Sequence, residues 1–70
     1  MLTIEELKNR FTYHTPKDGQ SERYERIRYK GKMFAAYINE HCPESREKSL
    51  AITKIEEAVM WANAAIARNE

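Results

Sequence analysis

The chain has 70 residues, 41% hydrophobic and 33% charged, with a formal net charge of +1, which leaves room for one domain at the size where a lone core is only marginally stable. A single cysteine excludes an internal disulfide, and one Cys with two His is too sparse for a standard zinc site. No apolar run approaches the roughly 18 residues of a membrane span, and no charged-then-apolar signal segment opens the chain.

The expected elements are three helices and no strands. Thr3-Ile4-Glu5-Glu6 is a capping-box signal, opening a short helix that runs to about Arg10. Thr15-Pro16-Lys17-Asp18-Gly19 breaks the pattern, and the spacing then predicts a helix from about Gln20 to His41. Tyr24, Ile27, Gly31, Phe34, Ala35 and Ile38 recur along it at intervals of three and four, one apolar stripe. Gly31 costs that helix about 1 kcal/mol relative to Ala and suggests either a close backbone approach or simple tolerance.

Cys42-Pro43-Glu44-Ser45 is the second break, with Ser45 a good N-cap for a third helix to about Arg68. Ile52, Ile55, Val59, Ala62 and Ile66 form its stripe, and residues 58–67 are apolar nearly all round. A surface helix of a monomer does not need that. The expected fold is therefore all-α: a short N-terminal helix and an antiparallel hairpin of two long helices, one domain over residues 1–70, assembled into a compact homo-oligomer. Composition places it among soluble cytoplasmic proteins.

The charge is unevenly spread. Residues 8–32 carry eight basic and three acidic side chains, a net of +5, whereas residues 40–70 carry six acids against four bases. Such a basic front half suits an anionic partner, although solvated helix faces with i,i+4 pairs also use such residues. Phe11-Thr12-Tyr13-His14-Thr15-Pro16 sets two aromatics and an imidazole just before the basic helix. Stacking faces beside cations are what a nucleobase and its phosphate require. Phe11 is instead expected to staple the first helix to the hairpin.

On the second helix, 100° per residue places Arg23, Arg26 and Lys30 on one side and Arg28 and Lys32 elsewhere. Tyr24 is expected in the core, and Tyr29 as a base-stacking or interface tyrosine. Ser45-Arg46-Glu47-Lys48-Ser49 combines hydroxyls and cations at a helix N-terminus, read either as a cap or as an anion site. A His14–Cys42 nucleophile pair lacks an orienting third group, and no carboxylate pair or Gly-rich loop stands out. No catalysis, cofactor or metal is expected.

Tyr13-His14-Thr15-Pro16, the stretch from Gln20 to Arg28, Cys42-Pro43-Glu44-Ser45-Arg46-Glu47-Lys48-Ser49-Leu50-Ala51 and Met60-Trp61-Ala62-Asn63-Ala64-Ala65-Ile66-Ala67-Arg68 closely resemble the phage anti-CBASS cyclic-nucleotide sponge family. The resemblance runs from about Phe11 to Arg68. It implies a compact homohexamer that binds cyclic dinucleotides and cyclic trinucleotides without degrading them, in the cytoplasm of the infected host. The bacterial CBASS effector is thereby starved of its messenger. Some relatives also bind cyclic ADP-ribose-type signals.

The family pattern further implies that Tyr13 stacks on a base, with His14 beside it, and that a basic residue of the next helix contacts phosphate. Arg26, Arg28 and Lys30 all remain open for that role. Arg46 and Lys48 match the family's Ser-Arg-Glu-Lys string and are assigned a phosphate or interface role, whereas Trp61 and Asn63 are assigned to subunit contacts. A cyclic dinucleotide carries two charges and two flat bases, so a two-fold pocket with the same Tyr and Arg from two protomers suits it. The alternatives are a small helical nucleic-acid-binding protein, a phosphodiesterase for the same ligands, and a ligand-free scaffold. Neither a membrane nor a linear nucleic acid is the expected partner.

Overall fold

The computed structural model describes residues 1–70 and contains three α-helices and no strands: α1 (Ile4–Phe11), α2 (Gln20–His41) and α3 (Arg46–Asn69). The bounds follow the local signals. The Thr3 hydroxyl accepts from the Glu6 N–H at 3.0 Å while the Glu6 carboxylate accepts from the Thr3 N–H at 3.1 Å, a complete capping box. At α3 the Ser45 Oγ accepts from the Lys48 N–H at 3.1 Å, so the cap reading of that serine holds. α2 starts without a side-chain cap. Gly19, at φ +80°, makes the left-handed turn into it, a conformation a glycine enters without steric cost.

α2 and α3 span about 33 and 36 Å at 1.5 Å per residue and run antiparallel, with Gln20 meeting Glu70, Gly31 meeting Val59, and Asn39 meeting Lys48. Gly31 is a close approach. A Cβ built there would overlap Val59 Cγ2 and stand 3.8 Å from Ile55 Cγ2. Tyr24, Ile27, Ala35 and Ile38 on one side, and Ile52, Ile55, Val59, Ala62 and Ile66 on the other, are half-buried along this seam, as their spacing predicts. Phe34 is an exception. It turns off the seam toward Lys30, Lys54 and Ala58 and is 57% exposed.

No apolar side chain is fully buried, and the two buried residues, Gln20 and Lys48, are polar. Two helices side by side form one layer, 45 × 33 × 13 Å overall. The radius of gyration is 15.4 Å where a compact chain of this length has about 11 Å. The accessible surface is 6074 Å², roughly 1,500 Å² above that of a compact protein of this mass. α1 adds to the excess. Its apolar stripe of Ile4, Leu7 and Phe11 faces solvent, and Phe11 is 84% exposed, so it does not staple α1 to the hairpin of its own protomer. Only α2 and α3 pack extensively on one another, so α1 has no seam with the hairpin for Phe11 to staple.

Polar clasps close both ends of the hairpin. At one, Arg23 forms a two-pronged pair with the Glu70 carboxylate, Gln20 Nε2 donates to the same group at 3.4 Å, and Lys17 Nζ donates to the Glu70 backbone oxygen at 2.6 Å. Hydrogen bonding from Arg23 holds the Glu70 carboxyl below the usual carboxylate range, and Glu70 in turn raises Arg23. At the other end, Lys48 Nζ donates to the Asn39 carbonyl at 2.9 Å and pairs with Glu44, tying the end of α2 to the start of α3.

Two outcomes follow. Gly31→Ala should lower stability by a net of about 1 kcal/mol, read as a lower thermal midpoint, because overpacking outweighs the gain in helix propensity. The loss should shrink in a Val59→Ala background; an equal loss in both backgrounds would place the cause elsewhere. A depressed carboxylate stabilises the fold above its unfolded value, and the contribution is lost as pH falls through the folded one. Glu70→Gln should therefore melt below wild type at pH 7, and the two melting curves should converge under acid. Parallel curves would mean the Arg23–Glu70 pair is not formed.

Candidate functional site

The linker between α1 and α2 crosses the end of the hairpin where α2 starts and α3 finishes. His14 anchors it. Its Nε2 faces the Asn9 carbonyl at 2.9 Å, in the last turn of α1 where carbonyls lack helical partners. A carbonyl only accepts, so Nε2 carries the hydrogen and Nδ1 is left as an acceptor in the neutral ring. Tyr13, the preceding residue, is 80% exposed.

Here a cleft of about 310 Å³ opens, lined by Tyr13, His14 and Pro16 from the linker, Tyr24 and Arg28 from α2, and Asn63, Ala64 and Ala67 from α3. Its size is at the low end of the roughly 300–1,000 Å³ of small-molecule sites. The two alanines, a turn apart, leave the room. Tyr13 and Tyr24 supply flat apolar faces, and Arg28 supplies a cation that no carboxylate of the chain answers. On the floor, Asn63 Oδ1 is buried without a hydrogen-bond partner. The combination suits a flat, polar-edged, negatively charged ligand.

Of the residues expected to contact ligand, Tyr13, His14 and Arg28 come together, and Arg26, Lys30, Arg46 and Lys48 do not join them. Arg26 lies on a separate face with Glu22, Glu25 and Tyr29. Tyr24 is the second tyrosine lining the cleft, and Tyr29 lies on the other face. Lys30 borders a groove beside Ile27, Phe34 and Lys54. Arg46 is exposed in the first turn of α3, about 26 Å from Asn63 along the helix. Lys48, in the same turn, is 8% exposed with its ammonium engaged by Asn39 and Glu44.

Asn63, which the resemblance assigns to subunit contacts, also lines the cleft. Its i+1 and i+4 neighbours, Ala64 and Ala67, share the cleft, and a polar residue set among small ones on a helix was the available signal. Cys42 is exposed at the opposite end of the hairpin from His14, so these two cannot act as a nucleophile and base within one protomer. Nowhere do three or more His, Cys, Asp or Glu side chains gather as a metal site would need. No helix is long and apolar enough to cross a membrane.

Arg28 also borders a second, largely apolar groove of about 560 Å³, formed by Gly31, Ala35, Ile52, Ile55, Val59 and Met60, with Lys32 and Glu56 as its other charged residues. The shared face of Arg28 and Lys32 agrees with the helical geometry. A family model described as the Acb2/Tad1 hairpin domain matches residues 3–67, nearly the whole chain. No curated protein and no solved structure matches it.

Proposed function

The chain belongs to the Acb2/Tad1 hairpin-domain family, the anti-CBASS sponge family, and on that premise we propose that it binds cyclic di- and trinucleotide messengers and sequesters them undegraded. In the cytoplasm of an infected host this keeps the messengers from CBASS effectors. The observation that carries the reading is the cleft that gathers Tyr13, Tyr24 and Arg28 over Asn63. Tyrosine faces stack on a base, and a guanidinium makes charge-assisted, two-pronged hydrogen bonds to phosphate oxygens. His14 is a positioning residue that holds the linker, and with it Tyr13, over the cleft.

The ligand set is narrower than the basic residues of the sequence suggest. Arg28 is the phosphate contact, because it alone of Arg26, Arg28 and Lys30 faces Tyr13. Lys48 is left out because its charge is already engaged, and Arg46 because of its distance. Binding without turnover rests on the family reading. The same separation of Arg26, Arg28 and Lys30 argues against the nucleic-acid-binding alternative. A phosphate backbone needs a continuous cationic track.

Assembly into a homohexamer completes the proposal. A standard interface removes about 800 Å² from each partner, so the roughly 1,500 Å² of excess surface corresponds to about two interfaces per protomer. The Arg28-bordered groove, the stripe of α1 and the exposed Met60 and Trp61 are the apolar surfaces available for them. Two-fold contacts of this kind place copies of one cleft around one symmetric ligand.

Tyr13→Ala and Arg28→Ala should each weaken cyclic dinucleotide binding by about 1–3 kcal/mol in calorimetry, while Arg26→Ala stays within about 0.5 kcal/mol of wild type. A loss at Arg26 and none at Arg28 would move the site to the other face. Size-exclusion chromatography with light scattering should show cyclic dinucleotide co-eluting with a hexameric mass, and heating the peak should release intact ligand. Linear product would make the protein a phosphodiesterase; a stable monomer at micromolar concentration would end the assembly argument.

A further inference from the structure

We propose that Asn63 reads the base held in the Tyr13–Arg28 cleft and makes the site selective for adenine. The inference rests on the binding reading above and adds to it the identity of the base. Asn63 Oδ1 is the one buried side-chain oxygen or nitrogen of the chain with no hydrogen-bond partner. An acceptor in that condition bears its full desolvation cost, which a folded protein normally avoids. No neighbour relieves it, and the Arg28 guanidinium, which lines the same cleft, makes no hydrogen bond to it. Ala62, Ala64 and Ala67 have no polar side-chain atoms, the Tyr24 hydroxyl points to Gln20 Oε1, and the His14 Nε2 hydrogen is held by Asn9.

The amide therefore loses no hydrogen bond by turning about χ2, and it gains one by meeting a donor in the cleft. What it offers there is an acceptor, Oδ1, beside a donor, Nδ2. The adenine edge offers the converse: the N6 amino donor beside the N7 acceptor, the pairing asparagine makes with adenine elsewhere. Guanine presents O6 where adenine has its amino group, and two acceptors then face each other. With Tyr13 against the ring face and Arg28 on the phosphate, Asn63 is the lining side chain whose amide sets an acceptor and a donor side by side for the base edge.

The probes are cyclic di-AMP and the matched cyclic dinucleotide whose purines lack the 6-amino group, titrated into wild type and Asn63→Ala. Wild type should favour cyclic di-AMP by about tenfold or more. Asn63→Ala should bind both with the weaker affinity, at an unchanged assembly mass. The wild-type comparison needs no variant, so it stands even if the substitution disturbs folding. Equal wild-type affinity for both ligands overturns the adenine assignment and leaves the binding reading intact. A preference that persists in Asn63→Ala, or a changed mass with the preference kept, assigns selectivity to another residue and overturns it too. Failure of wild type to bind either ligand overturns the binding reading itself, and the inference with it.

Discussion

Two helices lying side by side cannot enclose anything, and this constraint governs the molecule. Each helix of the hairpin has one neighbour in its own chain, so even the seam residues are only half-buried. Hydrophobic burial, the dominant favourable term in folding, is thus only partly used within the protomer. What the protomer does fix is geometry. Gly31 sets the depth at which α2 meets α3, and the clasps around Gln20 and Lys48 set the register at either end. Polar groups occupy the most buried positions because chain ends and turns fold over them. A lysine ammonium tolerates that position only when, as here, a carbonyl and a carboxylate meet it.

The cleft depends on the same arrangement. It lies at the end closed by the Arg23–Glu70 clasp, where Gln20 joins the linker to α3 through Lys17 and Glu70. The start of α2, the end of α3 and the linker are therefore fixed to one another just beside Tyr24, Arg28 and Asn63. His14 then extends that rigidity to Tyr13 by way of α1. A site held in place in advance loses less entropy when a ligand is captured. Arg28 stands at the junction of this cleft and the apolar groove. A second copy covering the groove would desolvate the guanidinium and strengthen its pairing with an anion. Assembly and capture would then draw on the same side chain.

Much of this was legible in the residues alone. Caps, helix periodicity and two Pro-containing breaks located all three helices, because those signals act within a turn of where they stand. Gly31 was legible as a close approach, although simple tolerance was an equal reading until Val59 was seen against it. Phe34, Phe11, Lys48 and Asn63 were not. A helical wheel orders residues around their own axis and says nothing of how far the neighbouring helix extends, so Phe34 fell inside a stripe and outside the seam. Phe11 needed the path of the linker. The burial of Lys48 comes from the fold of the α2–α3 turn over it, and the place of Asn63 in the cleft needed the linker to be seen across the end of the hairpin.

Net charge was the least informative number and local pairing the most. Of the basic residues in the front half, Arg23 is answered by Glu70 and Lys17 by the Glu70 backbone, and both belong to the hairpin's closure. Arg26 lies among two glutamates on another face. Arg28 is left as the cation that combines an unanswered charge, a cleft and two aromatic neighbours. A positive segment marks a region, whereas a charge that its own chain leaves unpaired, beside surfaces that its own chain leaves uncovered, marks a place for something else. In this protein both conditions meet at the start of α2, so the deficits of a coreless hairpin coincide with the position of its site.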